Sequence, residues 1–186
     1  MTGYSSGPQT GWDYATVAYE PASGTQLWVQ RYSGPGSHED AATSIAVSPD
    51  ASKVFVTGYI YRPSAGQDYA TVAYDAATGA ALWGRWYNGP GNKNDGAHSV
   101  AVSPDGSRVY VAGTSRGITS GDDYATAAYD AVTGAQLWGR RYNGPDNDND
   151  NSGPVAVSPD GSRVFVTGIT YGITSNDNYA TIAYGS

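Results

Sequence analysis

"DYATVAYDAATGAALW", residues 68–83, holds both a strand pattern and the turn that ends it. The same skeleton stands at 13–28 as "DYATVAYEPASGTQLW" and at 123–138 as "DYATAAYDAVTGAQLW". Its opening returns at 178–184 as "NYATIAY". Each step is 55 residues, without insertion, and "SPD" keeps the same interval from Ser48 to Ser103 to Ser158. A fixed period of this kind means equal structural units stacked side by side, each burying its faces on its neighbours.

One unit reads as four strands. Strand A is Ser44–Ser48, strand B Lys53–Tyr59, strand C Asp68–Tyr74 and strand D Ala81–Tyr87. The turns "SPDGS" and "DAATG" supply the Pro, Asp and Gly that tight reversals need. No segment keeps a 3.6-residue apolar period, which argues against helices. Along strand C, Tyr69, Thr71 and Ala73 alternate with Ala70, Val72 and Tyr74, so both faces mix small and aromatic residues. Such a strand sits between two other sheets. Four antiparallel strands repeated at this period predict an all-β protein, a β-propeller of four-stranded blades.

The register predicts an incomplete ring. Residues 2–19 repeat the register of 167–184, so the chain starts part-way through a B strand and stops after a C strand. The expected organisation is one propeller segment over 1–186, with units at about 1–40 (partial), 41–95, 96–150 and 151–186 (partial). Met1 stands where other units carry Val56, Val111 and Val166, as expected for a piece of a longer propeller. An open arc exposes sheet faces and edges at both ends. Self-association into a two-fold dimer with an even blade number, six or eight, is therefore expected.

Composition narrows the partners. With 17 acidic against 10 basic residues and a net charge of -7, there is no basic stripe for a phosphate backbone, so nucleic acid is not expected. No apolar run approaches the roughly 20 residues of a membrane span. There is no cysteine, hence no thiolate nucleophile and no Cys-bound metal.

"SVAVSPDGSRVYVAGTS" (99–115) followed by "DDYATAAYDAVTGAQLWGRRYNGP" (122–145) resembles the bacterial seven-bladed β-propeller repeat of secreted and surface proteins. The A-x-D-x-x-T-G-x-x-x-W part resembles the tryptophan-docking motif of quinoprotein (PQQ) dehydrogenase propellers, and "VAVSPDGSRVYV" is similar to YVTN-type repeats. The resemblance implies that Trp28, Trp83 and Trp138 wedge between adjacent blades. It implies that Thr78-Gly79 and Thr133-Gly134 shape the C–D turn, which Asp75 and Asp130 brace. The first copy departs, with Glu20, Pro21 and Ser23, and the fourth carries no tryptophan. An extracellular or cell-surface location also follows from the resemblance alone.

The A–B and C–D turns barely vary between units, whereas the B–C and D–A loops on the opposite rim do. Varied loops on a constant framework mark a binding surface. On that rim Trp12, Tyr61, Arg62 and Trp86 break the repeat and are candidates for contact with a glycan or a protein, or for rim packing. Asp146, Asp148 and Asp150 alternate as hard oxygen ligands do at the start of a calcium loop, although Val157 stands where a bidentate Glu is needed. Two aspartate series, Asp40/Asp95/Asp150 and Asp13/Asp68/Asp123 with Asn178, are expected to cap turn N–H groups. His38 and His98 occupy different repeat positions and read as surface-loop residues. No catalytic constellation or cofactor motif emerges. The expected function is a non-enzymatic, self-assembling interaction scaffold; a glycan-binding module and a fragment of a quinone-dependent oxidoreductase remain alternatives.

Overall fold

Fourteen strands account for the regular structure of the computed structural model, which describes residues 1–7, 11–35, 38–171 and 178–185. In chain order they are β1 (Thr2–Gly7), β2 (Gly11–Tyr19), β3 (Gln26–Tyr32), β4 (Ala41–Val47), β5 (Lys53–Arg62), β6 (Gly66–Asp75) and β7 (Ala81–Tyr87). They continue as β8 (Asp95–Val102), β9 (Arg108–Arg116), β10 (Asp122–Asp130), β11 (Gln136–Tyr142), β12 (Asp150–Val157), β13 (Arg163–Thr170) and β14 (Asn178–Gly185). They form four antiparallel sheets in sequence order: β1-β2-β3, β4-β5-β6-β7, β8-β9-β10-β11 and β12-β13-β14. The first sheet has strands B, C and D, the last has A, B and C, and the two between are complete blades. The fold is a β-propeller arc, all-β, with no helix among the described residues and none long and apolar enough to cross a membrane.

The core lies between the blades rather than inside any one of them. Tyr69 and Ala73 pack with Val100, Val109 and Val111 of the third blade. Ala70, Val72 and Tyr74, one residue out of phase, pack with Tyr14 of the first blade. The period-2 alternation thus sends successive side chains to opposite neighbours, and β6 is buried almost along its whole length.

Strand A starts earlier than its alternation suggests, because a bulge interrupts it. Register shifts fall between Ala42 and Ser44, between Ala97 and Ser99, and between Ser152 and Val155. The extra residue masks the period in sequence while the ladder continues past it. Opposite each bulge stands Gly58, Gly113 or Gly168, where a Cβ would lie 2.0, 2.1 or 2.2 Å from a strand A carbonyl oxygen. Only glycine fits that approach. Strands B and C also run further than expected in the second blade. Tyr61 and Arg62 pair with Gln67 and Gly66, leaving a three-residue turn in place of a long loop.

Candidate functional site

On the framework rim, Asp75 Oδ1 accepts hydrogen bonds from Thr78 N (2.8 Å), Thr78 Oγ1 (2.7 Å) and Ala77 N (3.1 Å). Asp130 does the same with Thr133 and Val132. Glu20 retains the first bond, accepting from Ser23 N at 2.6 Å. These bonds shape a turn that ends in a left-handed glycine, Gly79 at φ 74° and Gly134 at φ 69°. The tryptophan of the preceding blade lies flat on that glycine. A Cβ on Gly79 would sit 2.7 Å from the Trp28 ring, and one on Gly134 would sit 2.6 Å from the Trp83 ring. Trp28 Nε1 donates to Ala76 O at 2.9 Å and Trp83 Nε1 to Ala131 O at 3.2 Å. Trp138 packs against Tyr110 and Tyr184; the position corresponding to Ala131 in its neighbour is Ser186, outside the described residues.

Two further latches have no counterpart in the motif. Tyr14 Oη donates to Ala70 O of the next blade at 3.1 Å, and Tyr69 Oη donates to Ala125 O at 3.3 Å. Nearer the axis, Thr43 Oγ1 donates to Ala97 O at 2.8 Å. Its repeat partner His98 places Nδ1 2.7 Å from Ser152 O. A carbonyl only accepts, so Nδ1 carries the proton. His98 therefore lies on the innermost strand and joins blades, in place of the surface-loop role expected of it. The repeated "DYAT" tyrosine was visible in sequence; its partner, a backbone carbonyl 56 residues away, was not.

The variable rim uses aspartates differently. Asp40 accepts from Gly34 N (2.6 Å) and Tyr61 N (2.8 Å), and Asp95 from Gly89 N (2.6 Å) and Arg116 N (3.0 Å). Asp150 accepts from Gly144 N at 2.5 Å. Each ties the D–A loop to the end of strand B, and burial pushes all three carboxyls up from their ordinary range. The other series consists of arginine anchors rather than turn caps. Arg31 reaches Asp13 at 3.1 Å and Arg141 reaches Asp123 at 2.5 Å, both from strand D.

In the second blade that strand D position is Trp86, and Arg62 pairs with buried Asp68 at 2.8 Å from the B–C hairpin instead. The Arg62 guanidinium sits 5.6 Å from the Trp86 ring, whose Nε1 donates to Tyr32 Oη at 2.5 Å. Two residues that each break the repeat therefore break it together. Trp12 and Tyr61 make ring contacts of their own. Trp12 stacks on Tyr4 with ring centroids 4.8 Å apart, and Tyr61 packs on His38 at 4.4 Å. The remaining variable stretches, 8–10, 36–37 and 172–177, lie outside the described residues.

The alternating aspartates do not converge. Asp150 turns inward to Gly144, while Asp148 accepts from the N–H of Asn149 at 2.7 Å. Among the described residues no three acidic or histidine side chains are grouped to hold a metal ion. The buried carboxylates Asp40, Asp95 and Asp150 each accept a hydrogen bond from a backbone N–H group of the D–A loop.

The PQQ_2 family model, described as outer membrane protein assembly factor BamB, matches residues 13–176. No curated protein matches the sequence. Among solved structures, the β-propeller domain of the Trilobed protease from Pyrococcus furiosus, described as having an open velcro topology, superposes with a TM-score of 0.58 at 8% identity, over 98% of this chain and 49% of that one. Kuenenia stuttgartiensis hydrazine synthase superposes at 0.57 and 14% identity, over 88% and 45%. The Dos1 propeller superposes at 0.52 and 12% identity, over 83% and 36%. The chain spans half or less of each, and at these identities the likeness concerns the fold.

Proposed function

The chain belongs to the PQQ_2 family, and from that premise we propose that it is a non-catalytic, self-associating propeller scaffold whose end faces pair with those of a second copy. One observation carries this reading. Tyr14, Tyr69 and Tyr124 are equivalent and at most 1% exposed, whereas Tyr179, the fourth in the series, is 84% exposed. The receiving positions of the same junction, Gly3 and the Ala15 carbonyl, lie at the opposite end of the arc. A Cβ on Gly3 would meet nothing within 4 Å. Tyr19 is likewise 45% exposed against 2% for Tyr74 and 1% for Tyr129. The two ends are thus complementary halves of a junction the chain already makes internally, and a two-fold pair joined through both would have an even blade number.

An extracytoplasmic setting accompanies this reading, since the matching family is described by an outer-membrane role. Light scattering on the purified chain at micromolar concentration tests it. Twice the chain mass is expected, falling to one chain mass in Tyr179→Arg. A monomeric mass for the unaltered chain overturns the reading.

A further inference from the structure

The three junctions share one architecture but carry different chemistry at the variable rim. Four equivalent positions read Trp12, His38, Glu39 and Tyr61 at the first junction and Gln67, Lys93, Asn94 and Arg116 at the second. At the third they read Asp122, Asp148, Asn149 and Tyr171. The second junction keeps an equivalent open cavity of about 480 Å³ with Lys93, Asn94, Arg116 and Asp122 in its lining, but there and at the third junction an asparagine clamps the neighbouring strand. Asn94 Oδ1 accepts from Gln67 N at 3.2 Å, and Asn149 Oδ1 accepts from Asp122 N at 3.0 Å. Arg116 joins Asp122 and Asn149, each at 3.1 Å. The first junction replaces the clamping asparagine with the exposed carboxylate Glu39 and carries aromatic residues, Trp12 and Tyr61, at two of the other three positions.

We propose that this first junction is a binding site for a neutral saccharide. Gly11, His38, Glu39, Tyr61 and Gln67 line an open cavity of about 550 Å³, within the range of small-ligand sites. Trp12, which follows the lining residue Gly11 in the chain, is 40% exposed and Tyr4 58% exposed, although both are large and apolar. Their rings stack at an interplanar angle of 27°, so one face of the pair is spent and the other is a flat platform. A flat aromatic platform suits the C–H face of a pyranose ring. A quaternary ammonium would call for rings set around it as a cage. Glu39 and Gln67 offer acceptors and an amide to ring hydroxyls, and the Tyr61–His38 pair adds ring surface to the lining. The Glu39 carboxylate and the net charge of -7 select against acidic sugars. The site needs only the first two blades, so it stands whether or not the chain pairs with a second copy.

The test is a titration of the purified chain with cellobiose, chitobiose and lactose, read by tryptophan fluorescence and calorimetry, with sialyllactose and choline chloride alongside. Saturable binding of at least one neutral disaccharide is expected, weakened at least about tenfold in Trp12→Ala and in Tyr61→Ala. Trp12→Phe should retain it, and Trp86→Ala, which removes the exposed indole of the other blade, should leave it unchanged. Circular dichroism confirms that each variant keeps its fold, and the mass of the same sample reports separately on self-association. The assignment is overturned by three results: no saturation with any of the neutral sugars, binding indifferent to both Trp12→Ala and Tyr61→Ala, or saturation by choline alone.

Discussion

The two rims of the arc are built with the same residue type and use it in opposite ways. On the framework rim Asp50, Asp105 and Asp160 are exposed and gather short bonds from neighbouring serines, which hold their carboxyls down at about 2. On the variable rim Asp40, Asp95 and Asp150 are buried, and desolvation raises them. The framework rim makes each turn a self-contained unit that the repeat can copy. The variable rim makes each loop depend on a buried anchor and leaves everything outside that anchor open to change. The difference teaches where a repeat protein can vary: beyond the groups that satisfy backbone N–H, not among them.

The largest expected effect comes from breaking the framework rim at its tryptophan. Trp83 is buried against Gly134 and bonded to Ala131 O, so Trp83→Ala opens a cavity between two blades. A loss of about 3–5 kcal/mol is expected, or a fall in Tm of order 10 °C, measured by thermal and denaturant unfolding. A loss below about 1 kcal/mol would mean the junction is held by its tyrosine and strand A latches instead.

Next comes the coupled pair on the variable rim. Arg62→Ala leaves the fully buried Asp68 without its cation, and a cost of about 1–3 kcal/mol follows. The first and third blades draw their arginine from strand D, so Trp86→Arg restores that arrangement in the second. In a Trp86→Arg background, Arg62→Ala should cost less than half as much. Additive losses in this double-mutant cycle would show that the two departures from the repeat are independent.

A smaller effect separates backbone strain from docking. Gly134→Ala suffers both a left-handed φ of 69° and a Cβ 2.6 Å from the Trp83 ring, whereas Gly24→Ala suffers only its φ of 70°, in open space. About 1 kcal/mol is expected for Gly24→Ala and more for Gly134→Ala. Equal costs would mean that the indole shifts aside freely.

These comparisons also show what the sequence made legible. The period and the strand count were readable because each repeats at fixed spacing; the docking role of the turn came from its likeness to a known motif, and its chemistry is local, with Asp75 bonding two and three residues ahead. Strand A was misplaced at its start because the bulge at Thr43 breaks the alternation on which strand reading depends. The arginine anchors were missed for a different reason. Asp68 finds Arg62 six residues back, while Asp123 finds Arg141 eighteen residues ahead. A single series of aspartates therefore hides two solutions that only the sheet register brings together. Likewise Trp12, Tyr61, Arg62 and Trp86 were all visible as departures from the repeat. Only the geometry splits them, Arg62 and Trp86 into an ion-pair replacement and Trp12 and Tyr61 into separate ring contacts with Tyr4 and His38.

The finest discrimination between the rims is their response to acid. Asp105 is held at about 2 in the folded chain, below the ordinary value of roughly 3.9. Its ionised form favours folding, so this contribution is fully present above about pH 4 and lost as pH falls towards about 2. Asp95 has the opposite sign. Its carboxyl is raised by burial, so the folded state takes up its proton before the unfolded chain does. Stability from that group therefore grows as pH falls through its raised value towards roughly 4. Together the rims predict a stability maximum in mild acid, with a steep loss below it. Urea unfolding followed from pH 7 to pH 2 should show Asp105→Asn flattening the loss below pH 4 while leaving the rise above it. Asp95→Asn should flatten the rise and leave the loss. If both variants change the same limb of the curve, the two rims do not use aspartate in opposite senses.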